Sequence, residues 1–181
     1  MRIVGVDDGA FRPSKKAKQY ALLVAVFFEN LRISNLRLGR IEVDGRDANN
    51  VVASLLEGLK YDLVMLSGIS FGGFNVVDIA ALSKTLGKPV IVITGDRPHN
   101  EAVRKALHGH FTDWKDRWQM IRSAGRIRTV RIRDEPPLYF EVRGASVQFS
   151  KKTIISTATV SRLPEPIRVA RILARGLSGL S

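Results

Sequence analysis

Hydrophobic and polar positions follow two different rhythms along this chain. Residues 2–6 are a short apolar run closed by Asp7-Asp8-Gly9, which reads as a buried strand and a turn signal. Residues 20–28 are apolar throughout and suit a central strand covered on both faces. Glu29-Asn30 then turns the chain into a strand at residues 31–38, which residues 41–43 extend or follow. After Asp47, a good N-cap, the period changes: Val51, Leu55, Leu56 and Leu59 recur at helical spacing. Residues 63–66 and 90–94 read as buried strands, and residues 75–86 between them as a helix ending at Gly87-Lys88-Pro89. Two further helices are predicted at residues 98–111 and 113–124, and two exposed strands at residues 128–133 and 138–143. Residues 150–160 lean to helix, and residues 166–177 close the chain as a helix with Ile167, Ala170, Leu173 and Leu177 as its core stripe.

An antiparallel three-strand meander followed by helix–strand units is the layout of a ribonuclease H-like fold. The predicted class is therefore α/β in three layers, with a mixed sheet whose first three strands are antiparallel. Strands that alternate with helices are joined by right-handed crossovers and run parallel. In a ribonuclease H-like sheet the first strand lies beside the fourth and parallel to it, so the strand at residues 63–66 is expected beside residues 2–6, with Asp7, Ser67 and Thr94 clustered at one rim. Ligands of open α/β sheets bind at that rim. The basic loop carrying Arg12, Lys15, Lys16 and Lys18 leaves the same rim.

A chain of 181 residues predicts one domain spanning residues 1–181. The absence of cysteine removes disulfide scaffolds, zinc ribbons and thiol nucleophiles. No apolar run approaches the ~18 residues of a membrane span, and the first apolar run is too short for a signal peptide. A cytoplasmic protein is expected.

Charge adds a functional direction. There are 29 Lys and Arg against 17 Asp and Glu, for a net charge of +12, and residues 91–181 carry +9 of it. Such an excess favours a polyanionic partner. Arg117, Arg122, Arg126, Arg128, Arg131, Arg133 and Arg143 crowd the second half, and Arg168, Arg171 and Arg175 form one stripe of the last helix. Guanidinium groups suit bidentate phosphate contacts, although a charged stripe is also the ordinary dress of a solvated face. Other residues read as structural. Asp44 and Asp47 suit a turn and an N-cap, Trp114, Trp118, Phe27 and Phe28 suit the core, and His108 and His110 point in different directions from one helix. The glycines between Ser67 and Asn75 serve a tight turn with no nucleotide-binding spacing.

Several segments resemble endonuclease V. Val4-Gly5-Val6-Asp7 is similar to that family's first strand, whose Asp binds the catalytic metal, and Leu163-Pro164-Glu165-Pro166-Ile167-Arg168-Val169-Ala170 is similar to the opening of its last helix. Asp62-Leu63-Val64-Met65-Leu66-Ser67-Gly68 resembles its second metal-site strand, which normally ends Asp-Gly. A closer resemblance is to an archaeal family related to endonuclease V, domain of unknown function 99. It rests on Val43-Asp44-Gly45-x-Asp47-Ala48, Gly72-Gly73-Phe74-Asn75-Val76-Val77-Asp78-Ile79 and the same Pro-Glu-Pro helix. The resemblance implies an endonuclease V-like fold, a nucleic-acid partner, DNA or RNA, and Mg²⁺ or Mn²⁺ as cofactor.

Departures from the pattern qualify that picture. Asp7 persists as the catalytic position, but Ser67 stands where a second catalytic Asp is expected, and a neutral hydroxyl is a poor ligand for a hard cation. The Pro-Tyr-Ile-Pro wedge and its neighbouring Glu are missing from residues 41–47, and Gly144-Ala145 lacks the late histidine. The expectation is a nucleic-acid-binding protein with a degraded metal site and little or no nuclease activity. Asp7 and Asp96 are the surviving candidate metal ligands, and Arg12, Lys15, Lys16, Lys18, Arg168 and Arg171 are the candidate nucleic-acid contacts. The alternatives are an active Mg-dependent endonuclease with rearranged carboxylates, using Asp7, Asp44 or Asp47, and Asp96, or a non-catalytic scaffold for an acidic protein.

Overall fold

The computed structural model describes residues 1–11 and 18–178. Strands β1 (Arg2–Asp8), β2 (Tyr20–Glu29) and β3 (Arg32–Glu42) form the meander. Next come α1 (Ala48–Leu56), β4 (Leu63–Leu66) and a small hairpin of β5 (Ser70–Phe71) and β6 (Asn75–Val76). They are followed by α2 (Ile79–Leu86), β7 (Val90–Thr94), α3 (Asn100–His110) and α4 (Trp114–Ser123). Strands β8 (Arg128–Val130) and β9 (Leu138–Arg143) then precede α5 (Val147–Thr157) and α6 (Glu165–Ser178).

Seven strands make one mixed sheet in the order β3-β2-β1-β4-β7-β9-β8. As expected, β1 is antiparallel to β2 and parallel to β4, with Ile3 opposite Leu63 and Val6 opposite Leu66. Side chains alternate across a strand, so each buried strand feeds two cores. Val4, Val6, Val64, Leu66, Val90 and Val92 pack with α1 and α2 on one face. Ile3, Leu63, Met65, Ile91 and Ile93 pack with α5 and the start of α6 on the other, where Val24, Val26 and Phe28 meet Ala170 and Ala174. The result is three layers.

Two predicted elements are shorter than the sequence rhythm suggests. Residues 75–86 do not form one helix: Asn75–Val76 pairs with Ser70–Phe71, and α2 starts after Asp78, whose carboxylate accepts from the amides of Ala80 and Ala81. The strand at residues 128–133 stops at Val130, and Arg133 has a positive φ of 52°. The tryptophans are likewise less enclosed than expected. Trp114 and Trp118 are half-buried against the small core of Val76, Leu107 and Ile121.

Candidate nucleic-acid interface

The rim is built by β1, β4 and α6. Two glycines on one face, Gly5 within β1 and Gly9 just past its end, let the helix lie close: a Cβ on Gly5 would meet the Pro166 carbonyl oxygen, and one on Gly9 the carbonyl oxygen of Ala174. Asp7 lies between them on the same face and so points up at α6. Its Oδ2 accepts from Nε of Arg171 at 2.9 Å, and its Oδ1 accepts from the Ser67 hydroxyl and, at 2.9 Å, from the Asp8 amide. Asp7 is buried, only 5% exposed, so this pairing replaces the solvation its charge has lost.

Asp8 points to the opposite face, where its Oδ2 accepts from the Gly72 amide at 2.7 Å. Burial raises its pKa above the usual carboxylate value; the Gly72 bond opposes that rise and the neighbouring Asp7 charge adds to it. The two adjacent carboxylates therefore serve two sites, as strand alternation requires. Thr94 alternates with Val92, which places it on the Asp8 face, so the expected cluster of three reduces to Asp7 with Ser67.

Asp96 lies beyond β7 and is exposed, with no recorded contact to Asp7. Asp44 and Asp47 belong to the turn before α1. The Asp44 carboxylate accepts from the Phe74 amide at 2.8 Å; that of Asp47 accepts from the Glu42 amide at 3.3 Å and from the buried Asn75 side chain. Asp47 occupies the N-cap position of α1 but makes no side-chain cap. Arg117 is buried too, tying Asp113, the Gly45 carbonyl and the Phe74 carbonyl together, and thereby holding α4 to both loops. Its proximity keeps the Asp113 carboxyl below its ordinary range.

The basic candidates divide. Arg168 is held by Glu165 through two bonds of 2.8 and 2.7 Å, and Lys18 is exposed but paired with Glu42 at 3.1 Å. Arg12, Lys15 and Lys16 lie outside the described residues. His108 is exposed, stacked edge-on to Trp114 with centroids 5.0 Å apart, and His110 is also exposed.

A two-metal centre of the kind the resemblance implies needs carboxylates from separate strands converging on one point. Among the described residues no group of three or more His, Cys, Asp or Glu could hold a metal ion. The one carboxylate in position already has a cation on one oxygen and two donors on the other. This donor set does not fit the implied divalent centre.

A three-layer α/β structure with this mixed sheet and an acidic residue closing β1 has the ribonuclease H-like fold of endonuclease V. The chain belongs to the endonuclease dU family, whose description matches residues 1–178. It is 37% identical to a UPF0215 protein of Methanothermobacter thermautotrophicus, over 98% of this chain and 88% of that one. It is 36% identical to a UPF0215 protein of Methanosarcina mazei, over 98% and 91%. Among solved structures, a protein of unknown function from Archaeoglobus fulgidus superposes with a TM-score of 0.85 at 24% identity, covering 97% of each chain. Endonuclease V of Bacillus subtilis gives 0.68 at 17% identity, covering 99% of this chain and 81% of that one. Endonuclease V of Ciona intestinalis, in complex with a 24mer DNA containing an inosine followed by a ribo-adenosine, gives 0.63 at 14% identity, covering 99% and 87%.

Among the described residues, no helix is long and apolar enough to cross a membrane.

Proposed function

We propose that this chain binds nucleic acid along the rim at the carboxyl ends of β1 and β4, without metal-dependent strand cleavage of the endonuclease V kind. The observation that carries this reading is the saturation of Asp7 by Arg171 and Ser67. A carboxylate engaged in this way has little capacity left for a hard cation, which takes oxygen ligands in number. Net charge of +12, concentrated in the half that contains α6, supports a polyanionic partner. The family description makes DNA containing deoxyuridine the first ligand to test.

The same description favours a second reading, in which the chain is an endonuclease acting at deoxyuridine. One or two carboxylates suffice for Mg²⁺ where a substrate phosphate completes its shell, and Asp7 would be that carboxylate. One experiment separates the two: binding and cleavage measured together on single- and double-stranded DNA carrying uracil, inosine or neither, with Mg²⁺ or Mn²⁺. Salt-sensitive binding with no cleavage above that of Asp7→Ala supports the first reading. Asp7-dependent incision at uracil overturns it and establishes the second.

A further inference from the structure

The arginines of α6 are not equivalent, although they share one stripe. Two of the three guanidinium nitrogens of Arg168, Nε and Nη2, bond to the two carboxylate oxygens of Glu165, a bidentate pair that offsets its charge. Arg175 is exposed, with no ion pair recorded among the described residues. Arg171 is intermediate in a specific way. Its Nε is fixed on buried Asp7, its side chain is 32% exposed, and its two Nη nitrogens have no partner among the described residues. A part-exposed guanidinium anchored at Nε, with both Nη groups still unpaired among the described residues, is a donor fork held in place before any ligand arrives. Pre-setting removes part of the ordering cost that a free surface arginine would meet on binding.

We propose that Arg171, oriented by Asp7, is the phosphate receptor of this rim, a cation built into the chain where the resemblance implies a divalent metal ion. This rests on the nucleic-acid-binding reading above and assigns the residue that makes the central contact. Asp7 holds the guanidinium in place, Ser67 keeps the carboxylate oriented from β4, and Arg175, four residues along the helix, faces the same side for a second phosphate contact. Asp7 is a positioning residue here and touches no ligand.

The test uses the whole chain and fluorescein-labelled (dT)20, with anisotropy read between about 50 and 300 mM NaCl, a range over which phosphate contacts lose most of their affinity. Arg171→Gln should weaken binding roughly tenfold and lower the slope of log affinity against log salt by about 0.7, the loss of one single-strand phosphate contact. Lys88→Gln, the same charge change at the opposite pole of the sheet, should leave the slope unaltered. The decisive variant is Asp7→Asn, which raises net charge by one: a bare charge effect tightens binding, whereas loss of orientation weakens it about threefold or more. The double variant Asp7→Asn/Arg171→Gln preserves net charge and leaves no lone buried carboxylate, so it reports even where a single variant folds poorly. It should match Arg171→Gln in affinity. Wild-type binding that Arg171→Gln and the double variant leave unchanged, or tighter binding by Asp7→Asn, overturns this assignment while leaving the nucleic-acid reading intact. No salt-dependent binding by the wild type overturns both.

Discussion

Gly5 lies directly beneath Pro166, so close that a Cβ on the glycine would sit 2.0 Å from the proline's carbonyl oxygen. No backbone can absorb that overlap in place, so Gly5→Ala must push α6 off β1. The shift would move Arg171 away from Asp7, because both pairs lie along the same strand and helix. Overpacking at a buried site typically costs ~1 to 3 kcal/mol, and an obstacle made of helix backbone puts this variant at the upper end. Urea denaturation should show a lowered midpoint, with weaker (dT)20 binding in the protein that remains folded. An unchanged midpoint would mean that α6 is free to slide and that its close seat does not position Arg171.

The metal question has its own pair of variants. Ser67→Asp would bring a second carboxylate beside Asp7, but Arg171 would still offset one of the two charges and occupy Asp7 Oδ2, so Mn²⁺ binding should improve little. Ser67→Asp with Arg171→Ala removes the competing cation and should bind Mn²⁺ at least tenfold more tightly than wild type, readable as loss of the free-ion electron paramagnetic resonance signal. Equal affinity in all three proteins would show that positions 7 and 67 do not form one coordination site.

Much of the frame was legible because β1, β2, β4 and β7 are continuous apolar runs, and the ribonuclease H-like layout then set β4 beside β1. That was enough to bring Asp7 and Ser67 together across β1 and β4. The limits were local. Val76 and Val77 mimic a helical period, yet Asp78 delays α2 by capping it, and Asn75 is drawn into the hairpin and the Asp47 network. In the sequence Arg171 is one member of a solvated or phosphate-facing stripe, and its partner lies 164 positions away. A signal for that pairing did exist in Gly5-x-Asp7-x-Gly9, where two missing side chains flank an acid on one strand face. Glycine at alternate strand positions marks a close backbone approach.

The β2–β3 hairpin turns on Asn30 and Leu31, both left-handed with φ of 49° and 63°. A two-residue turn of this shape matches sheet twist, and glycine is preferred at its second position because a Cβ there is strained by ~1 to 2 kcal/mol. Leu31 is also substantially exposed, so little packing is lost with it. Leu31→Gly should therefore stabilise the protein by about 0.5 to 1 kcal/mol once glycine's extra chain entropy is deducted. A melting temperature that falls would indicate that the exposed Leu31 side chain makes a contact worth more than the strain.

Glu141 sits in the middle of β9, opposite Val92, and is buried with no side-chain hydrogen bond or ion pair among the described residues. Loss of solvation pushes its carboxyl from 4.5 up to about 7. Between those two values the folded protein keeps a proton that the unfolded chain releases, so unfolding is favoured as pH rises. The stability held by the neutral acid is complete below pH 4.5 and is lost through pH 7, by ~3 kcal/mol over the whole interval. Glu141→Gln keeps the shape and removes the titration. Its advantage over wild type should be small near pH 4.5 and should grow to roughly 2 to 3 kcal/mol by pH 8, as measured by urea unfolding at both values. A difference that is the same at the two pH values would mean that Glu141 is ionised throughout, with a counter-charge or water satisfying it in the fold.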